Sequence, residues 1–405
     1  MEYGELKREL RNKVQEKINF VKDFTDAEVE EIIDEVLLER EDLMIYPVSL
    51  RKRLKQELFD SLRRLDILQI FVEDSSVTEI MINGKDNIFV EQDGHLRKLD
   101  ISFESMEKLQ DVIQQIVAGC NRVVNEASPI VDARLPGGAR VNIVMSPIAL
   151  NGPIVTIRRF PDKPITMDRL LKMESISLEA ADFLKKLVQA KYNIFISGGT
   201  GSGKTTFLNA LSHYIPSEER VITIEDSAEL QLQGLPNLVR LETRNSNVEG
   251  CNEITMRELI KSSLRMRPDR IIVGEVRGAE AIDMLQCLNT GHDGSMSTGH
   301  ANSGKDMLSR LENMVLMGVE LPLAAIKQQI ASGLDIIVHL GRLRDKSRKV
   351  LEIIEVMGCE NGDIKLNPLY VFEEAGEDSN GNIVGRLQKR GVLLHENKLK
   401  AAGLS

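Results

Sequence analysis

The stretch N-I-F-I-S-G-G-T-G-S-G-K-T-T-F-L-N-A-L, residues 193–211, decides the fold. It opens as an apolar strand-like run, Asn193–Ser197, and passes into a glycine-rich turn. A helical pattern follows. Gly198-Gly199-Thr200-Gly201-Ser202-Gly203-Lys204-Thr205 fits G-x-x-x-x-G-K-[ST] with the strand before it and the helix after it that the motif requires. Without Cβ atoms, glycines let successive backbone N–H groups turn inward onto phosphate oxygens. The following helix presents its N-terminus to the same anion. Lys204 is expected to reach the β/γ-phosphates and the Thr205 hydroxyl to ligate Mg²⁺. Gly198 through Thr206 make up the nucleotide-binding segment. The alternative, a chance glycine-rich turn, accounts poorly for strand, Lys, Thr and helix in this order. A GTPase carries N-K-x-D after a later strand. The late Asn397-Lys398-Leu399-Lys400 lacks the Asp, so ATP with Mg²⁺ is the expected ligand.

Outward from this loop, the runs "RVITIED", "NLVRLET", "RIIVGEV" and "DIIVHL" read as further strands, several of them separated by helical patterns. That alternation predicts a covered, mostly parallel α/β domain over residues 181–405. The end, from "GCENGDIKL" onward, reads as an edge hairpin and a loose tail. Upstream, "VTEIMING", "NIFVEQDGHL", "IVDARLPGGARVNIVMSP" and "GPIVTIRRF" read as short strands with Asn-Gly, Asp-Gly and Gly-Gly turns around the helix "SMEKLQDVIQQIVAGC". A smaller α+β domain is therefore expected over 71–160. Residues 1–70 carry apolar positions at helical spacing among dense charge, a solvated helical segment with a possible partner-docking role. Residues 161–180, with two prolines and no clean period, read as a linker.

Composition narrows the classes. The 405 residues are 42% hydrophobic and 28% charged, with no Trp and 4% aromatics, so the core must be aliphatic. A net charge of −10 argues against a general nucleic-acid binder. The charged start "MEYGELKREL" has no apolar h-region, so no signal peptide is expected. No apolar run approaches the ~18–20 residues that cross a bilayer. Cys120, Cys251, Cys287 and Cys359 have no metal-like spacing, which fits a reduced, cytoplasmic protein.

Two strands end in acid. In "RPDRIIVGEVRG", Glu275 follows the strand, and Gly274 stands where many P-loop ATPases place a Mg²⁺-holding Asp. Glu275 is the candidate for activating water and, partly through water, for holding Mg²⁺. In "RVITIEDSAEL", Glu225 and Asp226 close a strand, with Glu229 beyond them. They read either as an acidic helix start or, beside a P-loop, as acids acting through water on metal or nucleophile.

"TGHDGSMSTGHANS", residues 290–303, holds His292 and His300. Zinc would want three or four ligands. Cys287 and Asp293 do not complete a convincing set. A structural loop is the plain reading. A phosphate-sensing region, with Thr298 in support, is the reading that follows from its place after the Glu275 strand.

Together, "GGTGSGKTT", "TIEDSAEL", "RMRPDRIIVGEVRGAEA" and "TGHDGSMSTGHA" resemble the Walker A, Asp box, Walker B and His box of the bacterial type II/IV secretion ATPases, in that order. "VTEIMINGKDNIFVEQDG", "SPIVDARLPGGARVN", "GPIVTIRRF" and "RLETRNSNVEG" look like the CpaF/TadA branch, which powers tight-adherence (Flp-type) pili. The resemblance spans roughly residues 60–372. It departs at Leu65–Leu68 ("LDIL" for "LGPL"), at Asn125–Pro129 ("NEASP" for "DESSP"), and at Gly299, where relatives often carry a hydrophobic residue. The resemblance implies a RecA-like P-loop NTPase domain, a homo-hexamer, an inner-membrane platform protein as partner, and peripheral membrane association through that partner. It also implies N-terminal-domain arginines that close on the γ-phosphate, with Arg140 and Arg158 in the matching segments.

Phosphoryl transfer needs positive charge on the equatorial oxygens. Arg240 and Arg244 are therefore candidates beside Arg140 and Arg158, and Arg277 is either a sensor or an ordinary ion-pair partner. Two other classes stand against a secretion motor. One is a RecA-like nucleic-acid translocase, disfavoured by the acidic balance. The other is a low-turnover nucleotide-gated scaffold, disfavoured by intact Lys204, Thr205 and Glu275. A conjugative secretion ATPase is the nearer alternative.

Overall fold

The computed structural model describes residues 3–18, 24–40, 42–43, 46–92, 94–120, 122–135, 137–159, 164–244 and 253–404. The chain forms two compact units, Met1–Asp162 and Lys163–Ser405. Cys251 and most of "RNSNVEG" lie outside the described residues.

In the first unit, helices α1 (Tyr3–Lys17), α2 (Asp26–Leu38) and α3 (Val48–Arg63) bury Leu10, Val14, Ile33, Val36, Leu54 and Leu58 against one another. Their apolar residues recur at three- and four-residue spacing, giving each helix one stripe to bury. Thr25 and Glu28 form a reciprocal capping box that starts α2. After α4 (Gln69–Glu73) come strands β1 (Val77–Asn83), β2 (Ile88–Gln92) and β3 (His95–Lys98), helix α5 (Met106–Gly119), and β4 (Ile130–Arg134), β5 (Arg140–Val144) and β6 (Ile154–Arg158). The six strands pair antiparallel in the order β3-β2-β1-β6-β5-β4. Ile80, Ile82, Val90, Val141, Ile143, Val155 and Ile157 join Leu109, Val112, Ile113 and Ile116 of α5 in one core.

The expected linker at 161–180 is not one throughout. Helices α6 (Met167–Lys172) and α7 (Leu178–Gln189) begin at the side-chain caps Thr166 and Ser177. Met167, Leu170 and Ile176 are buried in the core of the second unit. The prolines hid a helix whose apolar residues number too few to show a period.

The second unit continues with β7 (Ile194–Gly198), α8 (Lys204–Ser212), β8 (Val221–Glu225), β9 (Leu238–Glu242), α9 (Met256–Ser263), β10 (Arg270–Val273), α10 (Ala281–Leu288), β11 (Met296–Gly299), α11 (Gly304–Gly318) and α12 (Leu323–Gly333). It ends with β12 (Ile336–Arg342), β13 (Arg348–Glu360), β14 (Asp363–Glu377), β15 (Ile383–Lys389) and α13 (Asn397–Ala401). The nine-stranded sheet runs β15-β14-β13-β12-β7-β11-β10-β8-β9. It is parallel from β12 to β9 and antiparallel from β12 to β15. Alternate residues of the central strands feed two cores. Ile194, Ile196 and Ile272 pack with Leu208 and Leu211 of α8 on one side. Phe195, Ile222, Ile271 and Val273 pack with Ile260, Leu285, Leu311 and Ile330 on the other. This is why those strands read as continuous apolar runs.

All five strands expected here form. Strand β11 was unforeseen, because Met-Ser-Thr-Gly has no β-branched apolar run; Ser297 and Thr298 are nonetheless buried. The end of the chain is also more ordered than expected. Strands β13 and β14 are 13 and 15 residues long, joined at Asn361 and Gly362, both at positive φ. The segment beyond β15 is tied back. Tyr192 donates to the His395 carbonyl at 2.6 Å, and Lys398 pairs with Asp293 and Asp335. Among the described residues, no helix is long and apolar enough to cross a membrane.

One buried ion pair pins this unit. Arg270, fully buried at the start of β10, donates to both Glu219 oxygens and to the carbonyls of Val188 and Gly294. Removing one partner leaves the other charge buried and unpaired. Glu219→Leu should therefore destabilise the unit by about 3–5 kcal/mol, read as a lowered midpoint in chemical denaturation.

Candidate nucleotide site

The parallel strands end together, and their carboxyl ends carry the site. Strand β7 delivers the glycine-rich loop. A Cβ on Gly198 would lie 2.4 Å from the Leu340 carbonyl oxygen, so no side chain fits there. Gly201 and Gly203 take φ of +70° and +92°, the region glycine enters without strain. Gly203 then serves as N-cap of α8. Lys204 is mostly buried. Its Nζ donates to the carbonyls of Gly198 at 3.1 Å and Gly199 at 3.0 Å, and lies 3.3 Å from His300 Nδ1.

His300 follows the end of β11 and links the loop to the next acid. Its Nε2 is 2.9 Å from Glu275 Oε1, and the other Glu275 oxygen accepts from Arg277 Nη2 at 2.8 Å. A chain of groups thus runs Lys204, His300, Glu275, Arg277. Burial and the neighbouring Lys204 cation push the His300 pKa down, against the pull of Glu275. In a neutral ring with its proton on Nε2, Nδ1 is the acceptor for Lys204, and Nε2 lies next to the carboxylate. For Glu275, burial acts upward, but the Arg277 hydrogen bond and the Arg277 and Lys204 charges hold its pKa below the ordinary carboxylate value. Strand ends clamp it. Thr298 Oγ1 donates to the Gly274 carbonyl at 2.7 Å, and the Val276 N–H donates to Thr298 O at 2.9 Å.

Gly274 has a structural reason. A Cβ there would meet Glu225 Cγ at 2.8 Å. The Asp-box acid occupies the space that a side chain on β10 would need. Glu225 accepts the N–H groups of Glu229 and Leu230 at 2.7 and 2.8 Å, and burial drives its pKa up to about 7.

A family model described as "Type II/IV secretion system protein" matches residues 62–390. The chain belongs to that family. It is 33% identical to the conjugal transfer protein TrbB of Rhizobium radiobacter over 80% of this chain and 96% of that one. It is 31% identical to the type IV secretion system protein PtlH of Bordetella pertussis, over 71% and 93% respectively. The Yersinia pseudotuberculosis ATPase DotB shares the fold, with a TM-score of 0.52, 18% identity and coverage of 76% and 80%.

The other residues expected at the site have local partners within their own units. His292 precedes β11 while His300 follows it, so the two flank opposite ends of one strand. Of the two expected phosphate sensors, only His300 lies beside Lys204. His292 belongs to the loop closed by Ser295 Oγ on its carbonyl and by Lys398 on Asp293. No helix starts at the Asp box; Asp226 to Asn237 run irregularly between β8 and β9. Glu229 contributes its N–H to Glu225. Arg240 Nη2 donates to the Leu230 carbonyl at 2.9 Å, holding that same segment. Arg244 makes a backbone bridge to Ile254. In the first unit, cross-strand register sets Arg134 opposite Arg140, Arg140 opposite Arg158, and Arg158 opposite Glu79. Arg140 also pairs with Asp132 at 3.4 Å.

Two further residues lie at the loop without any motif in the sequence to mark them. Arg310 of α11 lines a cleft of about 380 Å³ with Gly199, Thr200, His300 and Asn302. Buried His339 of β12 lies 2.7 Å, through Nδ1, from Ser197 Oγ just before the loop. A β-strand histidine in "DIIVHL" gives no motif; only its pairing opposite Ser197 reveals it.

The residues fit a magnesium nucleotide. Among the described residues no three His, Cys, Asp or Glu side chains converge as a self-sufficient metal cage. The buried Ser202 Oγ in the loop has no partner among the described residues.

Glu225 gives a pH prediction. Its folded pKa, near 7, lies above the ordinary carboxylate value, so the folded state holds a proton that the unfolded chain releases. Stability should fall as pH rises from about 4.5 to 7 and level off above that window. Glu225→Gln keeps an acceptor for both N–H groups and should lose that slope in denaturation curves between pH 5 and 8.

Proposed function

We propose that this chain is an ATP-hydrolysing motor of a type II/IV secretion machine. The observation that carries the reading is the run from Lys204 through His300 to Glu275 at the carboxyl ends of β7, β11 and β10. Bound phosphate replaces the loop carbonyls as partner for Lys204, with Gly198 to Thr206 wrapping the anion. The Thr205 hydroxyl and, through water, Glu275 would hold Mg²⁺, which supplies charge neutralisation on the phosphates. Glu275, kept ionised by Arg277, orients the attacking water. When Lys204 turns to phosphate, His300 Nδ1 loses its donor, so the ring reports the state of the loop to Glu275. Arg140 and Arg158 are proposed to supply positive charge to the γ-phosphate. Arg240 acts by positioning the Asp-box segment that holds Glu225.

The working unit is proposed to be a homo-hexamer on the cytoplasmic face of the inner membrane, driving a platform protein. The tight-adherence segments of the sequence support pilus assembly. The relatives named for conjugal transfer favour a second reading, a conjugative secretion ATPase. Deleting the gene and scoring surface pilin against DNA transfer separates the two.

Lys204→Ala should abolish ATP binding while the protein stays folded. Glu275→Gln should retain binding and lose turnover by roughly 10²-fold or more, the range for groups that position or deprotonate a nucleophile. Wild-type hydrolysis by either variant would refute the assigned site.

A further inference from the structure

The hairpin between β12 and β13, G-R-L-R-D-K-S-R-K at residues 341–349, carries five cations and one acid within nine residues. Most of it is tied to the outer strands. Arg344 bonds Glu374 through both terminal nitrogens and Glu377 through Nε. Asp345 accepts from the Ser347 N–H and hydroxyl and from the Ile383 N–H. Lys349 donates to the Glu174 carbonyl.

Arg342 and Arg348 differ. They face each other across the hairpin, last residue of β12 against first of β13. Directly opposed side chains share a face, and like charges placed so are destabilising. Neither has a carboxylate partner among the described residues. Both lie on the phosphate loop instead. Arg348 Nε donates to the Gly201 carbonyl at 2.8 Å. A Cβ on Gly203 would lie 3.5 Å from Arg348 Cδ, and one on Gly201 would lie 3.8 Å from Arg342 Nη1. Two exposed guanidinium groups, each with donors to spare, therefore flank the loop, on a hairpin fixed to three neighbouring segments.

We propose that Arg342 and Arg348 form a second cationic wall of the phosphate site, binding the phosphates of a nucleoside di- or triphosphate held in the loop of the same chain. The proposal rests on the nucleotide reading above and adds residues that no part of the Walker motifs contains. Guanidinium suits the task, because it is always charged and matches phosphate oxygens in a fork. An anion between the pair also relieves their mutual repulsion.

The test is a titration of the full chain with ADP at several salt concentrations. Arg342→Gln and Arg348→Gln should each weaken ADP binding roughly tenfold, as expected for one charged hydrogen bond, and flatten its dependence on salt. Arg348→Lys should recover part of the loss in each readout. If both Gln variants bind ADP with wild-type affinity and salt dependence while Lys204→Ala loses binding, the wall is overturned and the loop assignment stands. If Lys204→Ala also binds like wild type, the underlying site reading fails as well. Weaker binding with an unchanged salt slope would mean that the arginines only brace the loop, which overturns the proposal. Thermal melts without nucleotide confirm that each variant is folded.

Discussion

The site depends on one contact between residues far apart in the chain: Lys204 Nζ to His300 Nδ1, at 3.3 Å. Sheet order makes it possible. The strand carrying the phosphate loop, β7, and the strand carrying Glu275, β10, are not neighbours; β11 lies between them. Lysine and glutamate therefore approach each other through the residue at the end of β11. That residue is a histidine with one ring nitrogen beside Lys204 and the other beside Glu275. Burial and the Lys204 cation lower its pKa, which favours the neutral ring that can accept from lysine. The buried Thr298, two residues earlier, fixes the same junction through Gly274.

What the sequence made legible divides by the range of the interactions. The phosphate loop is local: glycines, lysine and helix start lie within a few residues, and each has a conformational reason. The strands β7, β8, β10 and β12 are buried on both faces, which writes itself as apolar runs. Strand β11 is equally buried, but its neighbours β7 and β10 supply the enclosure, so its own residues can be Ser, Thr and Gly. The pairing of Gly274 with Glu225 was illegible for the same reason. One residue is small because another, on the adjacent strand, fills its space. His292 shows the opposite error. Eight positions look close in sequence, yet a strand advances about 3.3 Å per residue, so histidines on either side of one strand face different ends of the sheet.

The departures from the family pattern also have local accounts. At Gly299, where relatives often carry a hydrophobic residue, a Cβ would touch Met307 and Phe195 at 3.0 Å. Those two side chains supply the volume that a larger residue would have filled. The segment leading into His300 is packed from its neighbours, and the chain to Glu275 is intact. Gly274 follows the same logic, since Glu225 fills the place of a second acid on β10. Its neutral form is favoured by burial, and two backbone N–H groups hold it in place. The acid beside His300 is Glu275, whose pKa Arg277 helps hold down.

Charge placement makes the last link between structure and work. The chain is acidic overall, yet two of its sheets set arginines directly opposite one another: Arg134, Arg140 and Arg158 in the first unit, Arg342 and Arg348 in the second. In the first unit carboxylates offset part of this: Arg140 pairs with Asp132, and Arg158 stands opposite Glu79. Opposed guanidinium groups cost stability in an empty sheet face and recover it when a multivalent anion sits among them. A triphosphate is such an anion, and its charge changes on hydrolysis. In the second unit the opposed pair sits on a hairpin bonded to β14, β15 and the phosphate loop alike, so the loop and the antiparallel edge of the sheet are tied through one element.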